Sequence, residues 1–211
     1  MPTYKLTYFD ARAKAEPARY MFELAGLEYE DTRVTRDEWK AMKATTGLGQ
    51  LPVLEVDGIE LPQSGAIERY IGRKHGFYPS DAWECAQIDV VTETVNDFQS
   101  FISKVFRAEN DEAKAEVIKS FLAEESAKRF SRLEKLLTKN KEGKGWFVGD
   151  KISLADIRVF SMLNDNLPPL TGVEVGCLDL KDHPHLAAFM DRFKTEEKIS
   201  KWIKKRPVTK F

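Results

Sequence analysis

Residues 52–64 read Pro52-Val53-Leu54-Glu55-Val56-Asp57-Gly58-Ile59-Glu60-Leu61-Pro62-Gln63-Ser64. Pro52 introduces a short apolar run, Val53 to Val56, that suits a strand; Asp57-Gly58 supplies a tight turn, and Ile59 to Leu61 returns as its partner. Ser64 can cap a helix whose Ile67, Tyr70 and Ile71 share one face and which Gly76 ends. The stretch therefore predicts a ββα unit.

Upstream, Tyr4 to Phe9 is an aromatic and apolar run of the strand type. Glu16-Pro17 opens a helical pattern through Met21, Phe22 and Ala25 that stops at Gly26, with proline just inside the start and glycine just past the end. A strand candidate follows at Tyr29 to Val34, then a short helical stretch carrying Trp39. Residues 1–76 thus form an α/β domain of order βαβ, irregular helix, ββα.

Downstream of Gly76 and Pro79 the period changes. Trp83, Ala86, Val90, Phe98, Phe101, Ile102 and Val105 keep helical spacing, and a second amphipathic segment runs from about Ala113 to Leu137. Ser153-x-x-Asp156 reads as a capping box, and Pro168-Pro169 and Pro184 punctuate the remaining helices. Residues 82–211 are expected to form an all-helical domain.

With 42% hydrophobic and 32% charged residues, the 211-residue chain has an ordinary globular composition. Its 33 Lys plus Arg balance 34 Asp plus Glu, so no long-range field favours nucleic acid or an anionic membrane. The basic run Lys201, Lys204, Lys205 and Arg206 reads as a solvated helix end. Met1 to Phe9 lacks a leader pattern and no run approaches the ~18 apolar residues of a membrane span, so a cytoplasmic location is expected. Cys85 and Cys177 form neither a disulfide framework nor a Cys-x-x-Cys motif, and read as small buried or half-buried hydrophobes. His75, His183 and His185 lack metal-ligand spacing, so no metal is expected.

In a βαβ-ββα half, ligands bind in the crevice beyond the strand ends, which points to the loop Tyr8-Phe9-Asp10-Ala11-Arg12-Ala13-Lys14. It holds no thiol, so any sulfur chemistry must use sulfur from the substrate. The Tyr8 phenol can donate to a thiolate and favour that reactive form; a core aromatic at the strand end is the alternative reading. Gln63-Ser64 at a helix start can receive a carboxylate or simply cap the helix. Trp39 and Lys43, four apart, can act together on a ligand's far end or be a packed indole beside a surface cation.

Tyr4-Lys5-Leu6-Thr7-Tyr8-Phe9 with Ala15-Glu16-Pro17-Ala18-Arg19, then Gly49 to Gly58, Gln63-Ser64-x-Ala66-Ile67-x-Arg69-Tyr70 and Trp202 to Pro207, resemble the signatures of sigma-class glutathione transferases. That class also holds haematopoietic-type prostaglandin D synthases and the S-crystallins of cephalopod lenses. The resemblance implies a thioredoxin-like N-terminal domain, an all-helical C-terminal domain and a homodimer. Glutathione would be the co-substrate, with Tyr8 as the catalytic residue and small hydrophobic or electrophilic compounds as second substrates. It further implies that glutathione is held by Tyr8, Lys14, Trp39, Lys43, Gly49, Gln50, Leu51, Gln63 and Ser64, with Leu51-Pro52 cis. Asp97 would reach across the dimer to the glutamyl amino group of the other subunit's glutathione. Phe9, Ala13, Gln99, Lys104, Arg158 and Met162 would line the electrophile pocket. Where the synthases have tryptophan and tyrosine this chain has Lys104 and Arg158, so a more cationic pocket is expected, with conjugation favoured over prostaglandin isomerisation and over a structural, crystallin-like role. The family's Gly-x-Ala/Gly-Glu pattern and common arginine are replaced here by Ala13 and Lys14.

Overall fold

The computed structural model describes residues 2–172 and 180–209; Cys177 lies outside them. Strands β1 (Tyr4–Phe9), β2 (Glu30–Val34), β3 (Val53–Val56) and β4 (Ile59–Pro62) form one mixed sheet in the order β2-β1-β3-β4. β1 runs parallel to β2 and antiparallel to β3, and the Asp57-Gly58 turn closes β3 onto β4. The apolar β1 therefore lies between two neighbours, with Leu6 and its β3 partner Leu54 fully buried. Helix α1 (Glu16–Ala25) has Pro17 in its first turn and ends on Gly26 at φ 67°, a left-handed cap that costs glycine nothing. Its partner α3 (Ser64–His75) ends likewise on Gly76.

Two expectations are corrected here. Ser64 is the first helical residue of α3, not its cap: Gln63 holds the cap position at φ 74°, ψ 115°, and no side chain caps the helix. The Ser64 hydroxyl is thus not consumed by the helix's own N–H groups. Between them lies α2 (Arg36–Met42), capped by a Thr35/Glu38 box.

The rest is helical, as the change of period indicates. α4 (Ala82–Asn96) and α5 (Phe98–Arg107) meet at Asp97. α6 (Asp111–Ser120) and α7 (Ser126–Thr138) are joined by a single π-helical turn at Phe121–Glu125, where Phe121 stacks on Phe101 at 3.8 Å between ring centroids. α8 (Leu154–Ser161) is the buried axis of this half, and its Ser153/Asp156 box is present. Asp156 also accepts from the Phe147 N–H at 2.8 Å; its complete burial pushes its carboxyl up to about 6 against those bonds. Pro168-Pro169 lies inside the first turn of α9 (Leu167–Thr171), where missing N–H groups cost little. α10 (Pro184–Thr195) and α11 (Glu197–Lys205) close the chain.

The second correction concerns the basic end. Lys201, Lys204 and Lys205 are exposed, but the Arg206 side chain is only 9% exposed. It pairs with Glu16 of α1 at 2.7 Å and with Asp165 at 2.9 Å. Trp202 Nε1 donates to the same Glu16 oxygen at 2.8 Å, and Arg19 binds the other at 3.0 Å. A solvated terminus would need no such partners; here a buried carboxylate on α1 requires cations, and the helical half supplies one of them.

Candidate active site

Tyr8 sits near the end of β1, opposite Arg33 of β2, and is 8% exposed. After Phe9 the chain turns back through the 3-10 turn Ala13–Ala15, which brings the Lys14 backbone N–H to the Tyr8 hydroxyl. Ala13 reaches this turn at φ 35°, a left-handed conformation in which a methyl side chain is strained by ~1–2 kcal/mol. Burial raises the Tyr8 phenol above its ordinary value, while the Lys14 N–H and the Arg19 charge pull it down. The net shift is upward, so the hydroxyl is a protonated donor at neutral pH. Tyr8, Phe9 and Trp39 form an aromatic row, with ring centroids 5.7 Å and 6.3 Å apart at edge-on angles.

Beside this row the Lys43 side chain lies along Gly49, where an added Cβ would meet it at 3.5 Å. The Leu51–Pro52 bond is cis. Gln63 Nε2 donates to Gln50 Oε1 at 3.4 Å, so the stretch before β3 meets the start of α3. Gln63 is held in a conformation that costs a non-glycine residue of order 1–3 kcal/mol, the kind of strain that gathers at ligand clamps.

A cavity of 340 Å³ opens between the two halves, bordered by Lys14, Ser64 and Gly65 from the sheet half and by Gln99 from α5. Glu68 of α3 and Arg158 of α8 also border it, and their ion pair measures 3.2 Å. Arg158 Nη2 donates further to Asn96 Oδ1. Glu68 is 3% exposed; burial pushes its carboxyl up while Arg158 pulls it down. The Arg158 charge is offset by the neighbouring Glu68 carboxylate, while Lys14 and Arg69 also border the cavity.

Other expected residues are more scattered. Lys104 is exposed on α5, where its charge acts on Glu125. Met162 is 3% exposed and packed in the core. Asp97 faces α7: its carboxylate lies 3.4 Å from Arg132, and its carbonyl accepts from Arg129 at 2.5 Å. It does not border the cavity. Glu68 is not among the residues expected at the site, although a charged residue between Ile67 and Ile71 on a buried helix face is a signal, since buried charges require partners. Nor is the Glu16–Arg206 contact, for which no local pattern exists. Among the described residues, no group of three or more His, Cys, Asp or Glu side chains is placed to hold a metal ion.

The βαβ-ββα sheet half is followed by a helical half, and a cavity lies between the two. The model of the glutathione S-transferase N-terminal domain matches residues 4–73, and that of the C-terminal domain matches residues 96–206. Glutathione S-transferase S1 of Drosophila melanogaster is 37% identical over 207 residues, 98% of this chain and 80% of its own. Among solved structures, NaGST-2 superposes with a TM-score of 0.85 at 35% identity, covering 100% of both chains. The prostaglandin synthase D of Nilaparvata lugens has the same TM-score at 37% identity, covering 98% of this chain and 100% of its own. The chain belongs to the glutathione S-transferase family, whose co-substrate is glutathione.

Proposed function

We propose that this protein is a sigma-class glutathione transferase in which Tyr8 donates a hydrogen bond to the glutathione sulfur, holds it as thiolate, and directs it onto an electrophile. The observation that carries the reading is the place of Tyr8 near the end of β1, from which the chain turns back to Lys14, and Lys14 borders a cavity whose other border includes Ser64 and Gly65 at the start of α3. A donor favours the anionic form of sulfur, and each unit of pKa lowering is ~1.4 kcal/mol of preference for thiolate. The α3 N-terminus, with an uncommitted Ser64 hydroxyl and an aligned helix dipole, suits the γ-glutamyl carboxylate. Gln50, Gln63 and the Leu51 backbone would line the middle of the tripeptide; Lys43 and Trp39 would meet its glycyl end. Phe9, Ala13, Lys14 and Gln99 would face the electrophile. A homodimer and a cytoplasmic location complete the reading.

Holding sulfur and electrophile in one cleft supplies the proximity on which such additions depend. The reading is tested by aromatic-halide conjugation with purified protein: robust turnover that Tyr8→Phe reduces at least tenfold supports it, and turnover unchanged by that substitution refutes it. The Glu68–Arg158 pair makes the cavity wall polar, which disfavours a prostaglandin endoperoxide, so direct isomerase assays are expected to show slow turnover.

A further inference from the structure

The turn that brings the Lys14 N–H to Tyr8 is strained at Ala13, and strain of this kind persists only where surrounding contacts hold it. The residue before Ala13 is Arg12, whose carbonyl accepts from the N–H groups of Ala15 at 3.2 Å and Glu16 at 3.1 Å. Its side chain, 18% exposed, reaches out of the sheet half. Nη2 donates to the Thr209 carbonyl at 3.2 Å, beyond the end of α11. Pro207 and Val208 are exposed, so apolar burial of these two does not hold that segment in place. Nη1 of Arg12 lies 4.0 Å from a carboxylate oxygen of Asp165, in the π-helical turn Met162–Asn166 that follows α8. Arg206 lies 2.9 Å from the same oxygen, so Arg12 is not the cation on which this buried carboxylate depends.

We propose that Arg12 is a positioning residue for the Tyr8 chemistry: it fastens the β1–α1 turn to Asp165 and to the segment after α11, and so holds the Lys14 N–H against the Tyr8 hydroxyl. The inference rests on Tyr8 holding the glutathione thiolate. An N–H that donates to the phenol oxygen polarises the O–H and makes it a stronger donor to sulfur, since linked hydrogen bonds reinforce one another. A loosened turn costs Tyr8 that support, and it also moves Lys14, which borders the cavity. Arg12 acts through these neighbours, not by contact with sulfur or electrophile.

The test follows two readouts in wild type, Tyr8→Phe, Arg12→Gln and a chain shortened by removing residues 207–211. They are hydrogen exchange at the Lys14 amide of the free protein and ultraviolet titration of the thiol of bound glutathione. Arg12→Gln and the shortened chain should each speed the exchange at least tenfold. Each should also move the titration up by about half a unit, a roughly threefold loss in the ratio of thiolate to thiol, with glutathione affinity within threefold of wild type. Combined, the two changes should move the titration little further than either alone, because they remove one contact. Should Arg12→Gln fail to fold, the shortened chain carries the same expectation. A titration that Tyr8→Phe shifts but Arg12→Gln and the shortened chain do not, unchanged exchange at Lys14, or fully additive shifts would overturn the positioning role and leave Arg12 a structural contact. If wild type and Tyr8→Phe titrate alike, the thiolate reading itself falls, and the positioning role with it.

Discussion

Arg206 Nη1 lies 2.7 Å from Oε1 of Glu16, a contact that closes 190 residues of chain and ties the end of α11 to the first turn of α1. Glu16 is fully buried, as is Asp165, which Arg206 binds with its other nitrogen. A buried pair of this kind is weak evidence of net stability, yet removing one partner strands the other. Arg206→Met should therefore lower unfolding free energy by about 3–5 kcal/mol in urea titrations. Substitution of the exposed Lys204 should change it by less than about 0.5 kcal/mol.

Ala13→Gly should stabilise the protein. The alanine sits at φ 35°, so removing the methyl group relieves strain that exceeds the added chain entropy of glycine. The expected gain is about 0.5 kcal/mol, read as a small rise in urea midpoint with unchanged slope.

The Glu68–Arg158 pair gives a pH signature. Burial raises the folded-state pKa of Glu68, so its contribution is present below its ordinary value of 4.5 and is lost as pH rises through the folded value. Arg158 limits that rise. In Arg158→Gln the carboxyl loses its cation and its pKa climbs further, so the variant's deficit against wild type should grow with pH. Stability curves should show a deficit of about 3 kcal/mol near neutral pH, and a much smaller one at about pH 4.5, where the carboxyl can take a proton. A deficit independent of pH would contradict the pairing.

Local punctuation made most of the fold legible in advance. Pro17 and Gly26 bound α1, Asp57-Gly58 sets the β3–β4 turn, and the Ser153/Asp156 box opens α8, because each acts through a few neighbouring backbone groups. Ser64 is not the cap, because the positive φ of Gln63, which the sequence does not signal, puts Gln63 in that position and Ser64 inside the helix. The burial of Arg206 has no local signal, because its partners Glu16 and Asp165 are far away in sequence. In the cleft, Lys14, Ser64, Gln99 and Arg158 gather around one cavity. The pairing of Arg158 with Glu68 is a tertiary fact that changes the charge of the wall, and helical periodicity alone could not reveal it.

The central claim is that the Tyr8 hydroxyl stabilises the thiolate of bound glutathione. The most direct measurement is an ultraviolet titration of the thiolate in the binary complex, for wild type and Tyr8→Phe. The bound thiol of the wild type is predicted to titrate at least one unit below the ~8.5 of a free thiol, and that of Tyr8→Phe to return toward it. Identical titration curves for the two proteins would contradict the account.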